Sequence, residues 1–330
     1  MMRRREFIAT LGSAAGAWPI AARAQQGDRV RRIGVLLPYD ENDPVMKTWV
    51  SAFTQALAGL GWIDGRNVRM DLRWGSDDIN RIRAFAQELV GLQPDIIVAG
   101  TTPATVAVQR ETRIIPIVFA SVAEPVASGI VARLDRPSGN ITGFALYETT
   151  LAGKWLELLS EIAPGLKRAA VMFNPDTAPA SAYMPSFETA ARSLKVMSIR
   201  APVRGDAEIE RAIIALGREP GGGLVVMPDA FTDVHRAPII LAAARSNVPA
   251  VYQRSDFVRD GGLLSYGVDW VDISRRAASY VDRIQRGAKP GDLPVRFPAK
   301  YEMAVNIKTA NALGLAVPPS ILLRATEVIE

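Results

Sequence analysis

The sequence predicts an α/β protein made of two doubly wound parallel-sheet lobes joined by a multi-strand hinge. Three observations carry that prediction. From residue 33 onward, short apolar runs alternate with amphipathic segments at helical spacing, the rhythm that builds parallel sheets. The rhythm restarts in the second half: residues 95–120 and 223–252 both run strand, polar turn, helix, then a strand introduced by Pro, a repeat of architecture without clear sequence identity. The segment after residue 270 offers only one amphipathic helix and one further strand before its last helix, too little for a third domain. It must complete the sheets already built. At 330 residues the chain is too long for one ordinary core and suits two. The boundaries expected are 31–146 plus about 268–296 for one lobe, and 147–267 plus about 297–330 for the other, with a cleft between them.

Taken in order, Ile33–Leu37 is an apolar strand ending at Pro38-Tyr39-Asp40. Asp43-Pro44 places an N-cap and a first-turn proline ahead of a helix whose Val45, Trp49, Phe53, Ala56 and Leu60 share one face. Gly59-Leu60-Gly61 stops it, residues 62–67 turn, and Val68–Trp74 alternates as a half-exposed strand. Asp77-Asp78 opens a second helix with Ile82, Phe85, Leu89 and Val90 inward. Two buried strands follow. Asp95–Gly100 ends in Thr101-Thr102-Pro103, where Thr102 is the natural N-cap and Pro103 the first helical residue. Ile114–Ala120 ends in Ser121-Val122-Ala123-Glu124, which spells a capping box for a further helix. Asn140–Phe144 is a fifth strand. The second half then reads helix 151–162, strand 168–173, helix about 180–193, strand about 196–200 and helix about 206–217. Strands at 223–227, 249–252 and 261–269, a helix carrying His235, a helix over 272–286 and a strand at Tyr301–Asn306 complete it. The helix after that strand is expected to stop at Gly314 and Pro318-Pro319.

Composition excludes several chemistries. There is no cysteine, which removes disulfides, thiolate metal sites and cysteine nucleophiles. The net charge of +5 suggests nucleic acid at first sight. Its location argues otherwise: residues 1–24 carry four arginines against Glu6, leaving the remainder near +2 with scattered basic residues. No nucleic-acid partner, cofactor or metal is expected. Asp77-Asp78 reads as a helix start, because no convergent carboxylate partner is visible. His235 reads as a surface histidine.

The first residues explain the excess charge. Arg3–Arg5, a short apolar stretch from Phe7 to Ile20 and Ala22-Arg23-Ala24 make a charged n-region, an h-region and a small-x-small cleavage site. Arg4-Arg5-Glu6-Phe7-Ile8 is similar to a twin-arginine export signal. Cleavage after Ala24 into the periplasm is expected, without a lipid anchor, since no lipobox cysteine is present.

In open α/β sheets, ligands gather beyond the carboxyl ends of the strands. The candidates at those positions are Tyr39, Asp40, Thr101, Thr102, Ser121 and Glu124 from the first lobe. Asn174, Asp229, Phe231 and Tyr252 come from the second, and Tyr266 from the expected hinge crossing. Exposed helix N–H groups with hydroxyls suit a ligand carboxylate, while Glu124 suits an ammonium. Each also has a plain structural reading: Thr102 as cap, Ser121 and Glu124 as capping box, Asn174-Pro175 as turn, Asp229 as N-cap, and Tyr266 as hinge packing.

Several motifs resemble one family. They are Leu60-Gly-Trp62-x-x-Gly65-x-Asn67, Pro94–Thr101, Ile115-Pro116-Ile-Val-Phe119, Pro137-x-Gly139-Asn140-x-Thr142-Gly143, Asn174-Pro175 and the tail Phe297-x-x-Lys300-Tyr-Glu-x-x-x-Asn306-x-Lys308-Thr-Ala-x-x-Leu-Gly-Leu. With the leader they cover nearly the whole chain and resemble the exported substrate-binding proteins of ABC uptake systems, of the type I periplasmic-binding fold. The group of tryptophan/tyrosine uptake binding proteins is the nearest in pattern. One position departs from it: Glu124-Pro125 stands where relatives usually carry Asp-Pro. The resemblance implies a monomeric receptor that closes on a small solute, an aromatic amino acid in this group, and delivers it to an inner-membrane ABC permease.

Two alternatives belong to other classes. An exported enzyme on the same scaffold would need catalytic groups, but the mature chain has no G-x-G-x-x-G, P-loop, H-E-x-x-H or G-x-S-x-G, and a single histidine. The expectation is therefore no catalysis. A two-lobed sensor for a signalling partner would share the cleft and differ only in what reads it.

Overall fold

The computed structural model describes residues 29–330 other than 77, 147–148 and 179. The expected leader over 1–24 and Asp77 of the expected helix start lie outside the described residues. β1 (Arg31–Leu37) enters with two half-exposed arginines and then buries every residue. Asp95 fixes that entry, its carboxylate accepting from Arg31 Nη1 at 3.0 Å and from the Arg32 backbone at 2.8 Å. Asp43 caps α1 (Pro44–Gly59), accepting from the Val45 and Met46 N–H groups. Trp49 and Phe53, one turn apart, stack inward at 5.9 Å.

After α1, Asn67 ties its own turn together, donating to Gly61 O and accepting from Ile63 N, both at 2.8 Å. β2 (Val68–Trp74), α2 (Ile79–Gly91, capped by Asp78), β3 (Ile96–Ala99), α3 (Thr102–Glu111), β4 (Ile117–Val122) and β5 (Ile141–Ala145) complete the first unit. Its five strands lie in the order β2-β1-β3-β4-β5, all pairs parallel. The order reverses at β1, so the crevice for a ligand lies beyond the ends of β1 and β3. Gly143, in β5, has no alternative: its φ is +156°, and a Cβ there would sit 2.0 Å from Phe119 O.

The second unit runs α4 (Leu151–Ile162), β6 (Arg168–Phe173), α5 (Ala180–Leu194), β7 (Met197–Pro202), α6 (Asp206–Gly217) and β8 (Gly222–Val226). It continues through α7 (Ala230–Val234), α8 (Arg236–Arg245), β9 (Ala250–Tyr252), α9 (Ser255–Arg259) and β10 (Leu264–Val268). Helix α10 (Trp270–Gln285) turns back onto the first sheet. Phe144 of β5 packs on Tyr280 at 4.7 Å, and the Trp62 indole donates to Asp282 at 2.8 Å. The segment that follows α10 runs along β5, with Thr142 Oγ1 donating to Leu293 O at 2.7 Å and Ala145 N to Arg296 O at 2.9 Å. The chain then leaves for the second sheet as β11 (Tyr301–Asn306), antiparallel to β10. That seven-stranded sheet, with β12 (Glu327–Ile329) at its edge, has the order β12-β11-β10-β9-β8-β6-β7, and its reversal falls between β6 and β8.

Three local expectations are corrected. No helix follows β4: Ser121 and Glu124 take φ of +67° and +47°, outside helical space, and the chain runs on through turns. The His235 helix is two helices, α7 and α8, that meet at His235. The helix after β11 stops ahead of Gly314 as expected, but it is not the last element. Pro319 opens α12 (Pro319–Arg324) after α11 (Ile307–Ala312), and β12 (Glu327–Ile329) adds an edge strand beside β11.

Candidate functional site

β3 is buried throughout and delivers Thr101 to the crevice. Thr101, not Thr102, is the N-cap of α3. Its backbone is extended, its carbonyl accepts from Thr105 N and Oγ1, and its side chain caps nothing. The Thr101 hydroxyl is buried and without a hydrogen-bond partner among the described residues. Thr102 Oγ1 instead accepts from Ala123 N at 3.2 Å, tying α3 to the end of β4. There the register against β5 slips between Ala120 and Val122. The bulge turns Ser121 into the left-handed region, and its buried hydroxyl also lacks a partner among the described residues. Buried polar groups are nearly always paired. Two unpaired hydroxyls beside one helix N-terminus therefore mark a place where acceptor atoms belong.

Carboxylates stand across the cleft. Asp229 caps α7, accepting from Phe231 N at 3.3 Å, Thr177 Oγ1 at 2.8 Å and Asn174 N at 3.3 Å. Burial pushes its carboxyl up to about 6, against the pull of the Thr177 hydrogen bond. One helical turn on, Asp233 accepts from Gln253 Nε2 at 2.6 Å, Arg254 Nη1 at 3.1 Å and Tyr39 OH at 3.4 Å. Burial pushes Asp233 up to about 6 as well, although the Arg254 charge opposes it. Burial also raises the Tyr39 phenol, with Asp233 adding to the effect. Arg254, 2% exposed, is gripped by Asp256 at 3.0 and 2.6 Å, and its guanidinium lies 5.2 Å over the Trp270 ring. Burial alone would lower it; the Asp256 and Asp233 charges outweigh that and hold it firmly protonated.

These groups surround a central cavity of about 30 Å³ between the two sheets. Tyr39, Thr101, Thr102 and Ser121 line it from the first, and Thr177, Asp229, Asp233 and Gln253 from the second. Two larger chambers flank it. The outer one, about 740 Å³, is shared through Thr102, Pro103 and Thr177 and holds Asn174, Phe231 and His235. The other, about 370 Å³, is shared through Trp270 and reaches Trp49 and Glu302.

The expected residues thus divide. Tyr39, Thr101, Thr102, Ser121 and Asp229 meet at the central cavity, with Asn174 and Phe231 in the chamber beside it. Asp40 is exposed and serves its own turn, accepting from Asn42 N at 2.7 Å. Glu124 lines neither the cavity nor the flanking chambers. It is half-buried, which raises its carboxyl, and its charge in turn raises the Tyr183 phenol behind burial. Tyr252 is 1% exposed and stacks on Phe257 at 4.9 Å within the second unit's core. Tyr266 stacks on Tyr301 at 5.7 Å. His235 is a packing group: it stacks on Phe231 at 4.0 Å, with Nδ1 2.8 Å from Phe231 O.

Asp233, Arg254, Thr177 and Trp270 escaped the sequence reading. Arg254 carried a signal, since it follows β9 by two residues, at the same edge as the rest. Asp233 lies one turn past Asp229 on the same helix, a relation visible once that helix is placed. Among the described residues no group of three or more His, Asp or Glu side chains is placed to hold a metal ion.

Comparison with known proteins gives a consistent picture. The family model described as ABC transporter substrate binding protein matches residues 33–329. A relative named tyrosine-binding protein, from Clostridioides difficile strain R20291, is 26% identical over 80% of this chain and 75% of its own length. A conserved domain protein from Vibrio cholerae superposes with a TM-score of 0.85 at 26% identity, covering 91% of this chain and all of its own. The ABC domain from Streptococcus pneumoniae in complex with L-Trp gives 0.84 at 23% identity, over 91% of this chain and 99% of its own.

Proposed function

Because the chain belongs to the family of ABC transporter substrate-binding proteins, we propose that its solute is a zwitterionic amino acid with an aromatic side chain, held between the two lobes. One observation carries this reading. Buried hydroxyls of Thr101 and Ser121, without partners among the described residues, and the N-terminus of α3 stand on one side of the cavity, and the half-buried Asp229 carboxylate on the other. The first set suits a carboxylate, since helix N–H groups and hydroxyls donate to it. The second suits an ammonium. A zwitterion bridges both, and so bridges both lobes. The tyrosine-binding relative supports an aromatic amino acid, as does the Tyr39 and Trp270 lining.

The lobes are residues 31–146 with about 268–296, and 147–267 with about 297–330. A cavity of about 30 Å³ is far below the roughly 300–1,000 Å³ of ordinary ligand sites, so the lobes must part to admit the solute. The solute binds the closed state better and shifts the population by that difference. In this family the partner that takes the solute is a membrane permease, and the protein works outside the cytoplasm. Residues 1–24 form the twin-arginine-type leader in this proposal, with cleavage after Ala24 releasing a periplasmic monomer that performs no chemistry on its solute.

A thermal-shift series on residues 25–330 tests the ligand class. A ligand at a hundred times its Kd adds about 2.7 kcal/mol, which in a chain of this size raises Tm by roughly 4 °C. Tyrosine or tryptophan should give that rise. A rise with sugars and none with amino acids would remove the reading.

A further inference from the structure

The charged side chains Asp233, Arg254, Asp256 and Arg236 form an unbroken chain in the second unit. Asp233 stands on the wall of the central cavity, and its Oδ2 accepts from Arg254 Nη1 at 3.1 Å. Asp256 Oδ2 takes Arg254 Nη2 at 2.6 Å and Arg236 Nη1 at 2.9 Å together. Arg236, the first residue of α8, is also held through Nε by Asp260 at 2.6 Å, and its guanidinium lies 5.9 Å from the Phe257 ring. A guanidinium is a rigid planar fork, so carboxylates on two of its edges fix where it points.

Both ends of this chain touch the first unit, and they touch the same turn. At the cavity end, Asp233 Oδ2 also accepts from Tyr39 OH at 3.4 Å. At the far end, Arg236 Nη1 stands 3.8 Å from Asp43 Oδ2. Tyr39 and Asp43 bracket the turn between β1 and α1, which Asp43 N closes by donating to Asp40 O at 3.2 Å. Asp43 is fixed as well. Its Oδ1 accepts from the Val45 and Met46 N–H groups as the cap of α1, which leaves Oδ2 for Arg236. Neither Asp43 nor Arg236 lines the central cavity or the chambers beside it, so their contact does not act by touching the solute. Both side chains are 17% exposed, shielded enough for their attraction to exceed that of a surface pair.

Resting on the closure described above, we propose that Arg236 and Asp43 are positioning residues for solute binding. They form a clamp, outside the solute's reach, that holds the β1–α1 turn against the second lobe in the closed state. The chain of charges makes that clamp part of the site. Asp256 aims Arg236, Arg254 fixes Asp256, and Asp233 anchors Arg254 at the cavity wall. The turn is thus met at two points by one braced set of groups. Because the clamp stabilises the closed state alone, it slows release of a bound solute and does not choose among solutes.

Asp43→Asn tests the clamp, since Asn caps a helix as well as Asp does and only the charge is lost. By calorimetry and stopped-flow on residues 25–330, L-tyrosine should bind about fivefold more weakly, the scale of one ion pair, with the loss in the dissociation rate. L-tryptophan should weaken by the same factor. Arg236→Gln should do likewise, and the double variant should be about as weak as either single one, because each removes the same contact. Losses of capping or packing at separate places would add instead. Small-angle scattering of the empty protein gives a readout that needs no solute. Asp43→Asn should show a larger radius of gyration than wild type, and Arg236→Lys, which keeps the charge, should lie nearer wild type than Arg236→Gln. Wild-type dimensions and wild-type affinity in Asp43→Asn would overturn the clamp, as would losses that add in the double variant. If wild type binds neither amino acid, the amino-acid reading falls, and the scattering of the empty variants still decides the clamp.

Discussion

The Asp229 carboxylate accepts from Thr177, Asn174 and Phe231 and still has lone pairs left for an ammonium. Replacing it by Asn keeps a good N-cap and removes only the charge. Asp229→Asn should therefore fold normally and lose about a hundredfold in affinity, the scale of breaking a buried charge pair, as read by calorimetry. The pH dependence follows from the same group. Its carboxyl, pushed up to about 6 by burial, must be ionised to hold an ammonium. Affinity should be flat above pH 6 and fall below it by up to about tenfold per unit. The stability of the empty protein moves the other way. A carboxyl raised in the folded state binds its proton more tightly than in the unfolded chain, so its contribution is present below about pH 4 and lost as pH rises through 6. Arg254 answers to a different balance. Gripped by Asp233 and Asp256 and nearly inaccessible, it cannot be removed without stranding two carboxylates. Arg254→Met should cost about 3 kcal/mol in denaturant unfolding. Asp229 and Thr101 were legible in the sequence because each directly follows an apolar run. Asp233 was not, because a helical stripe looks alike whether it faces a core or a cleft.

At the level of elements, the sheet orders explain why these residues converge. β1 and β3 are the paired neighbours at the reversal in the first sheet, and β6 and β8 are those in the second, so four strand ends face one another. The motifs behind the family resemblance largely build this frame. Asn67 locks a turn, Asn140 Nδ2 holds Ile115 O at 2.7 Å, and Asn306 caps α11 while donating to Val258 O. Strands and long helices were readable from period and punctuation. The end of β4 was not, because Ser121-Val122-Ala123-Glu124 fits a capping box locally, while pairing with β5 carries the strand on through a bulge at Ser121. The short α12 and β12 were missed for a related reason: three to six residues hold too little pattern, and their conformation is set by β11 and its surroundings. The bulge yields a prediction. Ser121→Gly relieves a left-handed serine and should raise stability by about 1 kcal/mol, while deleting the hydroxyl lowers affinity for the solute. Stability and binding should separate in that variant, by unfolding and by titration.

At the scale of the whole molecule, side chains of the two lobes touch across the cleft. Tyr39 OH reaches Asp233 at 3.4 Å, and Arg236 Nη1 stands 3.8 Å from Asp43. Such contacts bias closure without locking it, which suits a receptor whose solute must supply the remainder. Tyr39→Phe removes the first of them, so the empty variant should show a larger radius of gyration by small-angle scattering and contract on saturation. The central claim is that one zwitterion spans both lobes, its carboxylate at Thr101 and Ser121 and its ammonium at Asp229. The most direct test is calorimetry of the mature protein with L-tyrosine, N-acetyl-L-tyrosine and L-tyrosine amide, which share a side chain and differ only at the two charged ends. The free amino acid should bind, and each blocked form should bind at least about a hundredfold more weakly. Equal affinity for all three, or binding of a blocked form alone, would contradict the account.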